Sequence, residues 1–146
     1  MMQAMHGLGT DMKTVIVAGL MVLGLASCAT YNLNDGERLA LYQAHAGAPV
    51  LRIDYRTPIG WTRVDDQHVA LDMRPSERWL LTLSGPCLRW DSGAQALVLE
   101  PIGGMVLSKF DLVRTPGSGV SCRIEEIRPI DVQGFRVAEQ ALIDKR

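Results

Sequence analysis

Apolar and polar positions alternate along this chain in two rhythms, and each predicts its own kind of element. Val50 to Arg56 sets Leu51, Ile53 and Tyr55 against Arg52, Asp54 and Arg56. A period of two puts one set on each face, so the stretch reads as a half-buried strand. His68 to Met73 repeats the pattern, with Val69, Leu71 and Met73 on one side. Trp79 to Ser84 is apolar almost throughout, which fits a central strand covered on both faces. Trp61 to Val64, Leu97 to Leu99 and Met105 to Val113 read as further strands, and Ser121 to Arg128 as the last. In that last strand Ile124 and Ile127 fall out of phase. A bulge near Glu125-Glu126 would return both to one face. Turn residues punctuate the run at Thr57-Pro58-Ile59-Gly60, Arg74-Pro75-Ser76-Glu77, Gly103-Gly104 and Thr115-Pro116-Gly117-Ser118-Gly119.

The helical rhythm is weaker. Asn34-Asp35-Gly36-Glu37 reads as a helix start, a capping side chain followed by acid in the first turn. Leu39, Tyr42 and Ala46 recur on one face, and Gly47 with Pro49 stops the element. Arg136 to Lys145 carries a faint helical pattern. The predicted fold is therefore mainly β (α+β): a small antiparallel β-barrel or roll, with one N-terminal helix closing an end. Residues 34–131 form the compact domain, and 132–146 a tail that could be helical.

The first 27 residues follow neither rhythm. Met12-Lys13 is a short positive start, and Val15 to Ala26 is uncharged and apolar. That run is shorter than the about 20 residues of a membrane-spanning helix and fits the core of an export signal. A start at Met12 would give a better-formed leader than one at Met1. Leu25-Ala26-Ser27-Cys28 closes the run. It resembles the lipobox of bacterial lipoproteins: an aliphatic residue, two small residues and the cysteine whose thiol takes a diacylglycerol. The resemblance implies a signal peptide over 1–27 and lipid on Cys28, with 28–33 as lipidated terminus and tether. An ordinary signal peptide cut nearby, or a buried core helix, is the alternative. Ala29 to Leu33 span at most about 18 Å, so the domain would sit close to the bilayer. Ala29 stands where an aspartate favours inner-membrane retention in such lipoproteins. The implied address is the outer membrane's inner leaflet, facing the periplasm.

Three cysteines in an exported chain leave one over after any pairing. Lipidation of Cys28 accounts for it, and an oxidising compartment then predicts a Cys87–Cys122 disulfide. A metal site is the competing reading, but the chain has no paired-cysteine motif, and only His45 and His68 follow the leader.

Net charge is −1, with Lys and Arg scattered singly, so nothing argues for nucleic acid. No nucleophile elbow, phosphate-binding glycine loop or calcium loop is present. Ser118 between two glycines is turn composition. His45 and His68 could act as bases, and Asp65-Asp66, Asp72 and Glu125-Glu126 could pair for glycosidic hydrolysis. The plainer readings are a surface histidine near a helix end, another at a strand start, a hairpin turn and a bulge. Of the tryptophans, Trp79 reads as core. Trp61 and Trp90 read either as barrel caps or as a binding surface for sugar or peptide. No catalytic set, metal or cofactor is expected.

Beyond the leader, several stretches resemble a family of short, uncharacterised proteobacterial lipoproteins. They are His45-Ala46-Gly47 with Pro49-Val50, Gly60-Trp61, Leu80-Leu81-Thr82-Leu83 running to Cys87, and Phe110-Asp111. Cys122-Arg123-Ile124 and Ile127-Arg128-Pro129-Ile130-Asp131 complete the pattern. That resemblance supports the cysteine pairing and implies no activity. The expected role is a non-enzymatic binding or accessory module of the cell envelope, held to the membrane through Cys28 and serving an envelope protein partner. A barrel carrying a lipid or glycan fragment ranks second, and an envelope hydrolase third.

Overall fold

The structure, a computed structural model, describes residues 32–89, 96–117 and 119–145. Cys28, the leader and Trp90 lie outside the described residues. Helix α1 (Asp35–Ala44) is followed by eight strands: β1 (Arg52–Asp54), β2 (Gly60–Arg63), β3 (His68–Arg74), β4 (Glu77–Leu83), β5 (Val98–Glu100), β6 (Val106–Ser108), β7 (Leu112–Arg114) and β8 (Ser121–Ile130). Helix α2 (Val132–Asp144) closes the chain. The order β2-β3-β4-β8-β7-β5 forms one antiparallel sheet, curled into a half-barrel that stays open between β2 and β5. A ribbon of β1 and β6 completes the architecture. The mainly β, small-roll reading of the sequence holds.

Strand register sorts the side chains. Trp61, Leu71 and Trp79 stand opposite one another, as do Val69, Leu81 and Ile127. Together with Leu83, Ile124 and Val113 they meet Ile53 of β1 and Leu107 of β6 in the main hydrophobic cluster. Burying such side chains contributes about 1.5–3 kcal/mol each, which makes this inner face the dominant source of stability. Glu126 pairs with Thr82 and Ile124 with Leu83, so Glu125 is the extra residue of a bulge. Both isoleucines are thereby fully buried, as their spacing predicts.

The helices take the other face. Residues alternate across a strand, so Ala70, Asp72, Arg78 and Leu80 point away from the main cluster. Tyr42 of α1 and Phe135 of α2 are buried with ring centroids 4.4 Å apart. The Arg78 guanidinium lies over both rings and is held by Asp72, with Nε 2.5 Å from a carboxylate oxygen. Burial is the largest influence and disfavours its charge, but the Asp72 hydrogen bond together with the nearby charges of Asp72 and Glu139 and the Tyr42 hydroxyl outweighs it, so the pKa is raised. Thus α1 packs on a sheet face beside α2, where the sequence predicted a helix closing a barrel end. The C-terminal tail over 132–146, which the sequence left open as helical, is a capped helix over Val132–Asp144 whose Val132 and Phe135 are buried. Its cap is Asp131, which accepts from the Gly134 amide at 3.0 Å. A Cβ on Gly134 would collide with that carboxylate and crowd His45.

Local signals hold α1 in place. Asn34 accepts from the Glu37 amide at 2.9 Å, and Glu37 accepts from the Asn34 amide at 3.1 Å, a reciprocal capping box. Arg63 donates to both carboxylate oxygens of Asp35 at 3.0 and 2.8 Å and to Asp66 at 2.6 Å. Arg38 donates to the carbonyls of Leu33 and Val64. These bonds fix the start of the helix beside the β2–β3 turn. Cys87, in the segment after β4, is disulfide-bonded to Cys122 of β8, with Cα atoms 6.0 Å apart. The β4–β8 pairing sets this proximity, and the two cysteines are buried in the main cluster.

Candidate functional site

The sequence predicts one strand from Met105 to Val113, but the chain breaks it in two. In an unbroken strand Leu107, Lys109, Asp111 and Val113 would share the core face, burying a cation and an anion in an apolar cluster. The break at Lys109–Asp111 brings Lys109 part-way into solvent and gives the still buried Asp111 backbone amides to accept from. Phe110 takes φ 85°, a left-handed value that side chains with a Cβ rarely adopt. Its amide donates to the Ile124 carbonyl at 2.8 Å, and the Ile124 amide donates back to the Asp111 carbonyl at 2.8 Å. The Asp111 carboxylate, buried at 3% exposure, accepts from the amides of Ser108 (2.7 Å) and Ile102 (3.2 Å). The Lys109 amide donates to the Leu51 carbonyl at 2.8 Å. The backbone conformation of Phe110 is therefore fixed from both sides.

What this scaffold displays is an aromatic ring in solvent. Phe110 is 59% exposed. Lys109 Nζ lies 5.2 Å from the ring centroid, and the Arg123 guanidinium carbon 5.7 Å. Both are within cation–π range. The ring and the two cations line a pocket of about 390 Å³ whose remaining walls are Thr82, Glu125 and Glu126. Glu125 is exposed by the bulge. Glu126 lies 2.6 Å from Arg128 Nε, an ion pair without hydrogen-bond geometry, since that nitrogen has no hydrogen-bond partner. The arrangement offers an aromatic platform, two cations and carboxylate acceptors within one concavity.

Of the residues singled out from sequence, Glu125 and Glu126 line this pocket, and the others lie elsewhere. Trp61 is half-buried against the main cluster, opposite Leu71. Trp79 packs against the same cluster and donates its indole N–H to Glu77 at 3.0 Å. His68 places Nδ1 2.8 and 2.9 Å from the two oxygens of Asp65, whose carboxylate also accepts from the Gln67 and His68 amides in the β2–β3 turn. His45 caps the end of α1, with its ring centroid 6.2 Å from that of Phe135. His68 pairs with Thr82, whereas His45 adjoins Asp131, next to the partner of Arg78. Thr82 and Arg78 are separated by about 13 Å of strand, so the two histidines do not converge. Among the described residues no group of three or more His, Cys, Asp or Glu is placed to hold a metal ion. Among them, too, no helix is long and apolar enough to cross a membrane.

Phe110 and Lys109 were missed as site residues because their role depends on a positive φ. The signal that could have found them is the pair of charged residues at core positions of an apparent strand. No curated protein and no solved structure matches the chain. A family model matches residues 11–146, taking in the apolar run Val15 to Ala26, both disulfide-bonded cysteines and the Phe110 platform, and on that match the chain belongs to the family of unknown function DUF6491.

Proposed function

We propose that this protein is a lipid-anchored component of the bacterial cell envelope: exported, cut before Cys28, and held by lipid on that cysteine at the periplasmic side of the outer membrane. There it acts as a non-enzymatic binding or accessory module, and the Phe110 platform is its binding surface. The observation that carries the binding role is the exposed ring of Phe110, kept in a conformation unfavourable to its own backbone. Such strain persists where surrounding bonds over-determine it and is characteristic of sites that bind. An exposed ring contributes little to the core, so its use lies with something outside the chain.

The anchoring rests on the leader and on Leu25-Ala26-Ser27-Cys28. The stretch matched by the family includes both. Two acyl chains suffice for a stable anchor. The carrier reading loses support from the inner face of the half-barrel, where Leu71, Leu81, Leu83 and Ile127 pack to zero exposure. The hydrolase reading loses support from the separation of His45 and His68.

The test is mass spectrometry of the full-length protein recovered from a Gram-negative host. The expected result is a mature chain beginning at Cys28 and carrying acyl mass, with Cys28→Ser shifting the protein out of the membrane fraction. A mature terminus elsewhere, or an unmodified Cys28, would remove the lipoprotein reading.

A further inference from the structure

We propose that the Phe110 platform binds an acidic saccharide, with a sugar ring stacked on Phe110 and a carboxylate held between Lys109 and Arg123. The assignment rests on this platform being the binding surface; it does not depend on lipid at Cys28.

Each wall of the pocket restricts the ligand. An exposed aromatic face accepts a flat apolar surface, and the C–H face of a pyranose ring is one that stays soluble. Lys109 and Arg123 lie over the same ring, 5.2 and 5.7 Å from its centroid. A carboxylate beside a stacked sugar would therefore meet both cations, which a neutral sugar would leave unused. Glu125 and Glu126 close the pocket, and Thr82 adds a hydroxyl. Carboxylates accept hydrogen bonds from sugar hydroxyls, so these two acids suit a polyol. The volume of about 390 Å³ falls in the small-molecule range. Asp111 and Ile124 hold the platform before any ligand arrives, which lowers the entropy lost on binding.

The experiment is calorimetric titration of the full exported chain carrying Cys28→Ser, with its disulfide intact. Trigalacturonate is the test probe. Maltotriose (rings without carboxylates), citrate (carboxylates without rings) and phosphatidylglycerol vesicles are the comparisons. Trigalacturonate should bind, less tightly as salt rises, and at least tenfold more tightly than maltotriose or citrate. Phe110→Ala and Arg123→Gln should each weaken it about fivefold or more, whereas Phe110→Trp should retain it, with circular dichroism confirming that every variant is folded. Equal affinity for maltotriose, or binding indifferent to Phe110→Ala, overturns the proposal. Binding to the vesicles but not to trigalacturonate overturns it in favour of a membrane surface. Because the titration uses unlipidated protein, its failure leaves the anchoring reading standing, and an unlipidated native Cys28 leaves the saccharide proposal standing.

Discussion

At the scale of single residues, Phe110 is where backbone preference and structure conflict. A left-handed φ costs a residue with a Cβ about 1–2 kcal/mol, and glycine avoids that cost. Truncating the ring alone confuses two effects, since the part of Phe110 that is covered also stabilises. Comparing Phe110→Ala with Phe110→Gly separates them, because both variants lose the ring. At an ordinary position glycine is the less stable of the two by about 0.5–1 kcal/mol. At φ 85° the order should invert, with Phe110→Gly more stable than Phe110→Ala by about 1 kcal/mol in urea unfolding. Equal stabilities would mean that the chain does not hold this conformation in solution. The left-handed turn could not be read from sequence, because the fold imposes it through Ile124 and Asp111, remote or buried partners. The charges at Lys109 and Asp111 did show that a strand there would be in difficulty.

At the scale of elements, legibility followed the range of the forces. The start of α1 was readable to within one residue, Asn34 or Asp35 as the cap, because the capping box that settles on Asn34 lies within four consecutive positions. The bulge of β8 was readable because only one extra residue puts Ile124 and Ile127 on the same face. By contrast, the packing of α1 on the sheet depends on Arg63 reaching Asp35 and on Arg78 reaching Tyr42, pairs remote in sequence. The Arg63 hydrogen bond holds the Asp35 carboxyl below its ordinary pKa. A depressed folded-state pKa means stability present above the unfolded value and lost as pH falls through the folded one. Asp35→Asn should therefore cost stability at pH 6, and the gap to wild type should close as both are taken below about pH 4. Because Asp35 is about half exposed, the gap at pH 6 should be small, under about 1 kcal/mol after screening. Urea midpoints across that pH range check it, and a gap that widens in acid would contradict the ion pair.

At the scale of the whole molecule, the half-barrel leaves its edge strands β2 and β5 unpaired with each other, and one covalent link compensates. The sheet does not close, so β5 and β7 reach β2 only through the central pair of β4 and β8. The disulfide joins the segment leaving β4 to the start of β8, across a sequence separation of 35. It also fixes the loop whose Cys87 carbonyl accepts from the buried Thr115 hydroxyl at 3.3 Å. This pairing was legible because the lipobox resemblance sets Cys28 apart and leaves two cysteines, but its placement in the core was not, since burial depends on the β4–β8 register. On the chain-entropy account, closing such a loop stabilises by about 4 kcal/mol, an upper value because reduced chains retain structure. Small domains hold only about 5–15 kcal/mol in total. The double variant Cys87→Ala and Cys122→Ala should accordingly lose about 2–4 kcal/mol in equilibrium unfolding, beyond what two small cavities remove. Wild-type protein in reductant should fall by a similar amount, while reductant should leave the double variant unchanged. Were the wild type equally stable with and without reductant, the sulfurs would not be bonded in solution. The β4–β8 pairing would then be holding the open sheet together by packing alone.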